Sequence, residues 1–386
     1  MNPADYLDPT EALPKIGGVR KNVSTLENIV PFKYGKAFPT VKLNDIVLIG
    51  MPENRNSANP GASKSPDLIR SFFYSLSGFP GKVKIIDAGN LKPTKTPADT
   101  YSAVKDIVDY FISKGAITVI LGGTQELSFP IYQAISTHHK NISVSFIDSR
   151  LDIENEDDFS STNYLNKFFS EPLEKVFNIS LLGYQGYLTD QKQLDVFSKT
   201  NHEALRLGFV RGNIREVEPT LRDSTFVSFD LGAVRYSDCP GNIYPSPNGL
   251  YAEEACQLAR YSGLSDKTRC FGIFEYNSDS DPSFISAHLS AQLVWHFVEA
   301  CSQRRNESPE NILDFKKFIV DSGTPRIEMV FYKSQLSDNW WMEIPTNNTS
   351  LFPSHKVIVA CSYNDYNIAS KQELPERWIR IYNKLI

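Results

Sequence analysis

The stretch 144–154 reads VSFIDSRLDIE, an apolar run that ends in Asp148, Arg150 and Asp152 at alternate positions. A strand that is apolar on both faces belongs inside a parallel sheet covered by helices. Successive strand side chains alternate faces, so these three groups leave on one side and converge if the chain stays extended beyond the run. In open parallel sheets ligands bind outside the carboxyl ends of the strands, where these groups lie.

Working outward, six more runs share this character: DIVLIGM (45–51), KVKIIDA (82–88), AITVILGG (116–123), NISLLGY (178–184), FVSFDLG (226–232) and CFGIFEY (270–276). Between them lie helical patterns, among them SPDLIRSFFYSL (65–76), ADTYSAVKDIVDYFISKG (98–115), AEEACQLARYSGL (252–264) and FISAHLSAQLVWHFVEACSQR (284–304). This alternation predicts an α/β fold, a three-layer αβα sandwich with a mainly parallel central sheet. The polar segment QRRNESPENI (303–312) marks a boundary, dividing the chain into an N-terminal segment 1–35, an α/β domain 36–305 and a small C-terminal α+β extension 311–386. The extension holds RIEMVFYK, NWWMEIP, KVIVACSY and ELPERWIRIYNKLI, and three of the four tryptophans, Trp340, Trp341 and Trp378, so it is expected to fold and pack. It either seals the main core or, through Trp340 and Trp341, presents an aromatic patch to a protein partner.

Composition narrows the function classes. The 386 residues, 41% apolar and 12% aromatic, suffice for one large core or two ordinary ones. A net charge of −5 with scattered basic residues argues against nucleic acid or an anionic membrane as partner. The five cysteines (Cys239, Cys256, Cys270, Cys301, Cys361) form no CxxC pair, which argues against a disulfide framework or a zinc site. The N-terminus carries no secretory pattern and no run reaches 18 apolar residues, so a cytoplasmic location is expected.

Four strand ends carry the chemistry. They are Gly122-Gly123-Thr124-Gln125, Asp148-Ser149-Arg150-Leu151-Asp152, Ser228-Phe229-Asp230-Leu231-Gly232 with Pro245-Ser246-Pro247-Asn248-Gly249-Leu250, and Glu275-Tyr276-Asn277. In this order they resemble the motifs of the ureohydrolase family (arginase, agmatinase, formimidoylglutamase): GGDH, DAHxD, SFDxDxxDP with PxPGGL, and EVNPxxD. The stretch from Asp45 through the PGA segment to the helix at 65–76 is similar to the family's first strand, loop and helix, and the likeness spans roughly 36–305. The resemblance implies an arginase-like fold and a pair of manganese ions on two histidines and four aspartates. It also implies a bridging water or hydroxide that attacks an amidine or guanidine carbon, a chemistry suited to hard carboxylates and two ions.

The departures from that pattern shape the expectation. The first histidine is replaced by Gln125, the second by Arg150, the last aspartate by Gly232 and the aspartate of the following LDP by Arg235, leaving Asp148, Asp152 and Asp230. None of the six histidines falls at a motif. Three carboxylates in one cleft repel and raise each other's pKa unless a positive charge joins them. The guanidinium of Arg150 is expected to supply it, occupying the volume of the ions in a structural ion-pair cluster. The rival arrangement turns Arg150 outward and seats a single Mg²⁺ or Mn²⁺ among Asp148, Asp152, Asp230 and the Gln125 amide. Glu275, the substrate acceptor in the family, leaves room for a small cationic ligand, or it pairs with Arg235 or caps a helix. Gly122, Gly123 and Gly249 are read as turn residues needing unusual backbone angles. GGTQ lacks the lysine of a phosphate loop, 160–169 is a polar loop with a helical start, and the acidic run 154–158 is a solvated loop. The expected function is therefore a catalytically inactive arginase-fold scaffold with a degenerate site, no cofactor and a protein partner. The alternative is an atypical, formimidoylglutamase-like ureohydrolase of linear amidines or guanidines using Mn²⁺. The resemblance also implies homo-oligomers, which the extension would block or replace.

Overall fold

The computed structural model describes residues 1–10, 13–79, 83–154, 158–309, 314–321 and 328–385. Its main sheet has ten strands: β1 (Leu7–Asp8), β2 (Ile29–Pro31), β3 (Ile46–Gly50), β4 (Ile85–Leu91), β5 (Ile117–Leu121), β6 (Ile142–Ile147), β7 (Val176–Tyr184), β8 (Glu203–Arg206), β9 (Phe226–Asp230) and β10 (Cys270–Phe274). The order is β1-β4-β3-β5-β10-β9-β6-β7-β8, with β2 also on β4. Every pairing is parallel except β1 with β4.

The period of two explains the layers. Along β3, Ile46 and Leu48 enter one core while Val47 and Ile49 enter the other. The first core is closed by helices including Ser65–Phe73, Ala252–Leu264 and Ile285–Cys301, and the second by Pro97–Ser113 and Ser128–Ser136. The three-layer αβα architecture follows, because a strand apolar on both faces needs a cover on each. The seven expected runs all form strands. The N-terminal segment 1–35 is not separate from this sheet, since it contributes β1 and β2. Part of the boundary segment 303–312 and residues 155–157 of the acidic run lie outside the described residues.

A second sheet is antiparallel, in the order β11 (Phe315–Asp321), β12 (Glu328–Ser334), β13 (Trp340–Pro345) and β14 (Lys356–Cys361). Helices Tyr363–Ala369 and Glu376–Leu385 complete this extension. Its core takes in Phe177 from β7, so it is packed onto the main sheet. Here the aromatic-patch expectation is corrected: Trp340 and Trp341 are 7% and 4% exposed. Trp340 stacks on Tyr366, and the Arg222 guanidinium lies over Trp341 while donating to the carbonyls of Trp340 and Cys361. Surface this apolar is worth more inside a core than facing water.

Helix Glu376–Leu385 shows how the extension is fastened. Trp378, Ile381 and Leu385 share its buried face. Arg377, Arg380 and Lys384, at the same spacing, reach into a polar recess around Glu203 of β8. Glu203 accepts from Arg380 at 2.7 Å, Ser180 Oγ at 3.1 Å and Thr220 Oγ1 at 2.9 Å, and these partners hold its carboxyl below the usual range although burial opposes them. Lys384 donates to Phe177 O and Asn178 Oδ1.

Candidate functional site

Strands β5, β6, β9 and β10 are neighbours at the sheet centre, and their carboxyl ends open into one cleft of about 460 Å³. Asp148 follows β6, Asp230 ends β9 and Glu275 follows β10, while Gln125 lies just past β5. Asp148, Asp152, Asp230 and Glu275 line the cleft with Arg150, Gly232, Asn242, Tyr244 and the polar residues Asn56, Ser57 and Ser160 to Thr162. None of the six histidines is among the lining residues. The loop 160–169 does contain a helix, Leu165–Phe169, but its polar start walls the site.

Backbone geometry explains how the ends meet. Gly122 and Gly123 have φ of +74° and +80°, and a Cβ on Gly122 would lie 1.9 Å from Ser65 Oγ, so the turn after β5 requires glycine. Gly249 has no such φ; it is required because its Cβ would lie 2.3 Å from Arg235 N. Glu275 itself adopts φ +61°, a conformation unfavourable for a side chain with a Cβ, which the surrounding contacts must hold. Its Oε1 accepts from Gln125 N at 2.9 Å and its Oε2 from Asn59 Nδ2 at 3.0 Å.

The expected ion-pair cluster is absent from the described residues. Arg150 turns away from the floor, its guanidinium 4.8 Å from the Tyr244 ring centre, and only its backbone N–H reaches Asp148. β6 stops at Ile147, so the extended geometry that would aim Arg150 beside the aspartates is lost. Glu275 does not pair with Arg235 either, because Arg235 pairs with Asp238 at 2.9 Å and stacks on Tyr251. Among the described residues these carboxylates form no ion pair with a lysine or arginine, and the Arg150 charge acts on Asp148 and Asp230 only from a distance. Burial pushes Asp148 up to about 6 and Glu275 to about 7. Burial and then the charge of Asp148 hold Asp152 and Asp230 well above the carboxylate range.

Two of the replaced positions are rebuilt. The Gln125 amide, oriented by its partners, donates to Asp148 Oδ2 at 3.1 Å and Asp230 Oδ2 at 2.9 Å and accepts from Ser228 and Tyr164. At Gly232 a Cβ would lie 2.8 Å from Asn242 Nδ2, so Asn242 fills the space of the missing side chain. Positions 125, 150 and 232 therefore offer no charged ligand, and the residues do not fit a two-ion centre. For one ion the donor chemistry fits: Asp148, Asp152 and Asp230 are hard oxygen donors gathered in one cleft, where the charges of neighbouring acids raise Asp152 and Asp230, a condition a divalent cation relieves. As they stand, no three His, Cys, Asp or Glu side chains among the described residues form a group that encloses an ion.

Residues not anticipated from the sequence are Glu126, Asn59, Tyr164, Asn242 and Tyr244. Glu126 is fully buried behind Glu275, and burial together with the Glu275 charge pushes it up to about 8. Its position beside Gln125, between the apolar run 116–121 and Leu127, was the available signal, since a carboxyl there is rarely buried without a reason.

Comparison with known proteins supplies that context. The arginase family's sequence profile matches residues 44–299. A formimidoylglutamase of Staphylococcus haemolyticus is 24% identical over 258 residues, 63% of this chain and 81% of that protein. Among solved structures, Bacillus subtilis formimidoylglutamase superposes with a TM-score of 0.65 at 19% identity, covering 78% of this chain and 98% of that one. Trypanosoma cruzi formiminoglutamase, solved with Mn²⁺, gives 0.63 at 22% identity, covering 68% and 95%. These findings overturn the expectation of no cofactor: a family whose member is solved with Mn²⁺ points to manganese. That expectation gave Arg150 the metal's place, and the arginine is turned elsewhere. With two thirds of its length matched by one family profile and the fold to go with it, this chain belongs to the arginase family.

Proposed function

We propose that this protein is a divergent ureohydrolase that hydrolyses a C–N bond of a linear amidine or guanidine, with manganese as its cofactor. The observation that carries the reading is the floor of the cleft, where buried Asp148, Asp230 and Glu275 and half-buried Asp152 converge and, among the described residues, no lysine or arginine forms an ion pair with them. Buried charge of one sign costs several kcal/mol unless paired, on the order of 3–5 for a broken pair, so such a floor persists where a cation arrives as ligand. Asp148, Asp152 and Asp230 would hold the metal, which when bound supplies Lewis acidity and a water nucleophile at neutral pH. Glu275 positions the substrate: each carboxylate oxygen has lone pairs beyond those used by Gln125 N and Asn59 Nδ2, and these accept amidinium N–H groups. Burial strengthens that pairing by excluding water. The reading includes a cytoplasmic location, which the five free cysteines support.

A second reading has its own support. The Gln125 amide lodged between Asp148 and Asp230, with Asn242 in the space at Gly232, suits a non-catalytic framework that binds a partner protein. Manganese loading followed by elemental analysis and assay against arginine, agmatine and formimidoylglutamate separates the two. Bound manganese with turnover that is lost in Asp148→Asn is the expected result; neither bound metal nor turnover would leave the framework reading.

A further inference from the structure

We propose that the protein carries a second ligand site at the end of the sheet opposite the cleft, where Arg269 and Arg304 bind a phosphate dianion, free or borne by a small molecule. This site does not depend on the chemistry assigned to the cleft. A cavity of about 540 Å³ lies there at the amino ends of the central strands. Asp45 precedes β3, Lys84 precedes β4, Ile117 begins β5 and Arg269 precedes β10. Arg304 joins them from the segment that follows helix Ile285–Cys301.

The charges on the lining do not balance. Asp45 and Lys84 satisfy each other at 2.8 Å. Among the described residues Arg269 and Arg304 have no ion pair, and every partner they do have is uncharged. Arg269 Nη1 donates to Asn44 Oδ1 at 3.2 Å, while Arg304 donates to the carbonyls of Gly263 at 2.8 Å and Thr268 at 3.1 Å and meets the Cys301 thiol. The Nε and Nη2 of the half-buried Arg269 have no hydrogen-bond partner among the described residues. The remaining acid, Asp266, accepts from Glu307 N at 2.9 Å, so one negative charge faces two positive ones. Burial and then the Arg304 charge hold Arg269 below the usual arginine range, although Asp266 pulls the other way. Like charges drawn together out of water are relieved when an opposite charge joins them. An arginine fork pairs bidentately with a phosphate, and two such forks suit its double charge better than the single charge of a carboxylate. Asn44, Ser302 and Asn306 add neutral hydrogen-bonding groups, and the volume leaves room for an organic part.

The test titrates the full chain, free of metal, with inorganic phosphate, glycerol 3-phosphate and acetate by calorimetry, near pH 8 and at matched ionic strength. Without metal the acidic cleft repels all three anions. Inorganic phosphate is expected to bind about tenfold tighter than acetate and to raise the unfolding midpoint. Tighter binding of glycerol 3-phosphate identifies a phosphorylated molecule as the ligand, and the reverse order identifies free phosphate. Arg269→Gln should weaken phosphate binding about tenfold and abolish the rise in midpoint, while the anion-free variant is no less stable because a repelling charge is gone. Arg269→Lys, which keeps the charge and loses the fork, should weaken binding about threefold, and it decides the matter if Arg269→Gln does not fold. Arg150→Gln, in the cleft, should bind phosphate as the unmodified protein does. Phosphate bound no tighter than acetate, or undiminished in either Arg269 variant, overturns the inference. So does an equal loss in Arg150→Gln, which would put the anion in the cleft.

Discussion

Two clusters of buried charge in this molecule are solved in opposite ways. Around Glu203, one carboxylate is met by Arg380, with Arg377 and Lys384 beside it, and every contact comes from the chain itself. In the cleft, Asp148, Asp152, Asp230 and Glu275 face one another, and the one arginine among the lining residues rests on a tyrosine. The first arrangement is finished without any ligand and fastens the extension to the sheet. The second has no ion pair of its own among the described residues, which is the compensation the proposed metal would supply.

The largest effect that would sharpen this contrast comes from removing the compensated acid. Glu203→Ala leaves Arg380 buried without its carboxylate, beside the charges of Arg377 and Lys384, and is expected to cost about 3–5 kcal/mol in denaturant unfolding. A loss under about 1 kcal/mol would erase the distinction. Next comes the cleft: manganese at about a hundred times its Kd should add about 2.7 kcal/mol of stability. Asp230→Asn should abolish that gain while leaving the metal-free protein no less stable, because one repelling charge is gone. A metal-free variant that unfolds sooner would show that Asp230 is structural.

A smaller effect depends on pH. Glu126 is pushed up from 4.5 to about 8, so its contribution to stability is complete below about pH 4.5, falls as the unfolded chain ionises, and is exhausted once pH passes 8. Relative to Glu126→Gln, the unmodified protein should therefore lose up to about 1.4 kcal/mol per pH unit between about pH 4.5 and 8 and show no further loss above 8. Comparing the two proteins cancels His202 and Lys384, which titrate alike in both. The smallest effect is expected at Lys64 and Asp279, an exposed pair at 2.7 Å. Lys64→Ala should change stability by less than about 1 kcal/mol, a control for pairing that water already screens.

How much was legible follows from how local the signal is. β3, β5, β6, β9 and β10 were readable because both their faces are buried, which writes a continuous apolar run. β8, with the sequence EALR, and the two-residue β1 carry no such run, because edge strands need little apolar surface. β11, FKKFIVD, alternates exposed and partly buried residues at the edge of its sheet and escaped for the same reason. In the site, Asp148, Asp152, Asp230 and Glu275 were readable because each follows or ends an apolar run. The direction of Arg150 was not, since it depends on Tyr244, which a distant loop delivers. Trp340 and Trp341 were read as packed or exposed, and burial decided for packed.

From its residue order alone, this protein is specified as a helix-covered parallel sheet with acids at the strand ends, because burial periodicity and strand termini are properties of neighbouring residues. Whether those acids are neutralised was settled only in three dimensions. Coulomb interactions depend on distance and burial, and only the fold puts the Gln125 amide on Asp148 and Asp230, Tyr244 under Arg150, Asn242 in the space at Gly232 and Glu126 within reach of the Glu275 charge.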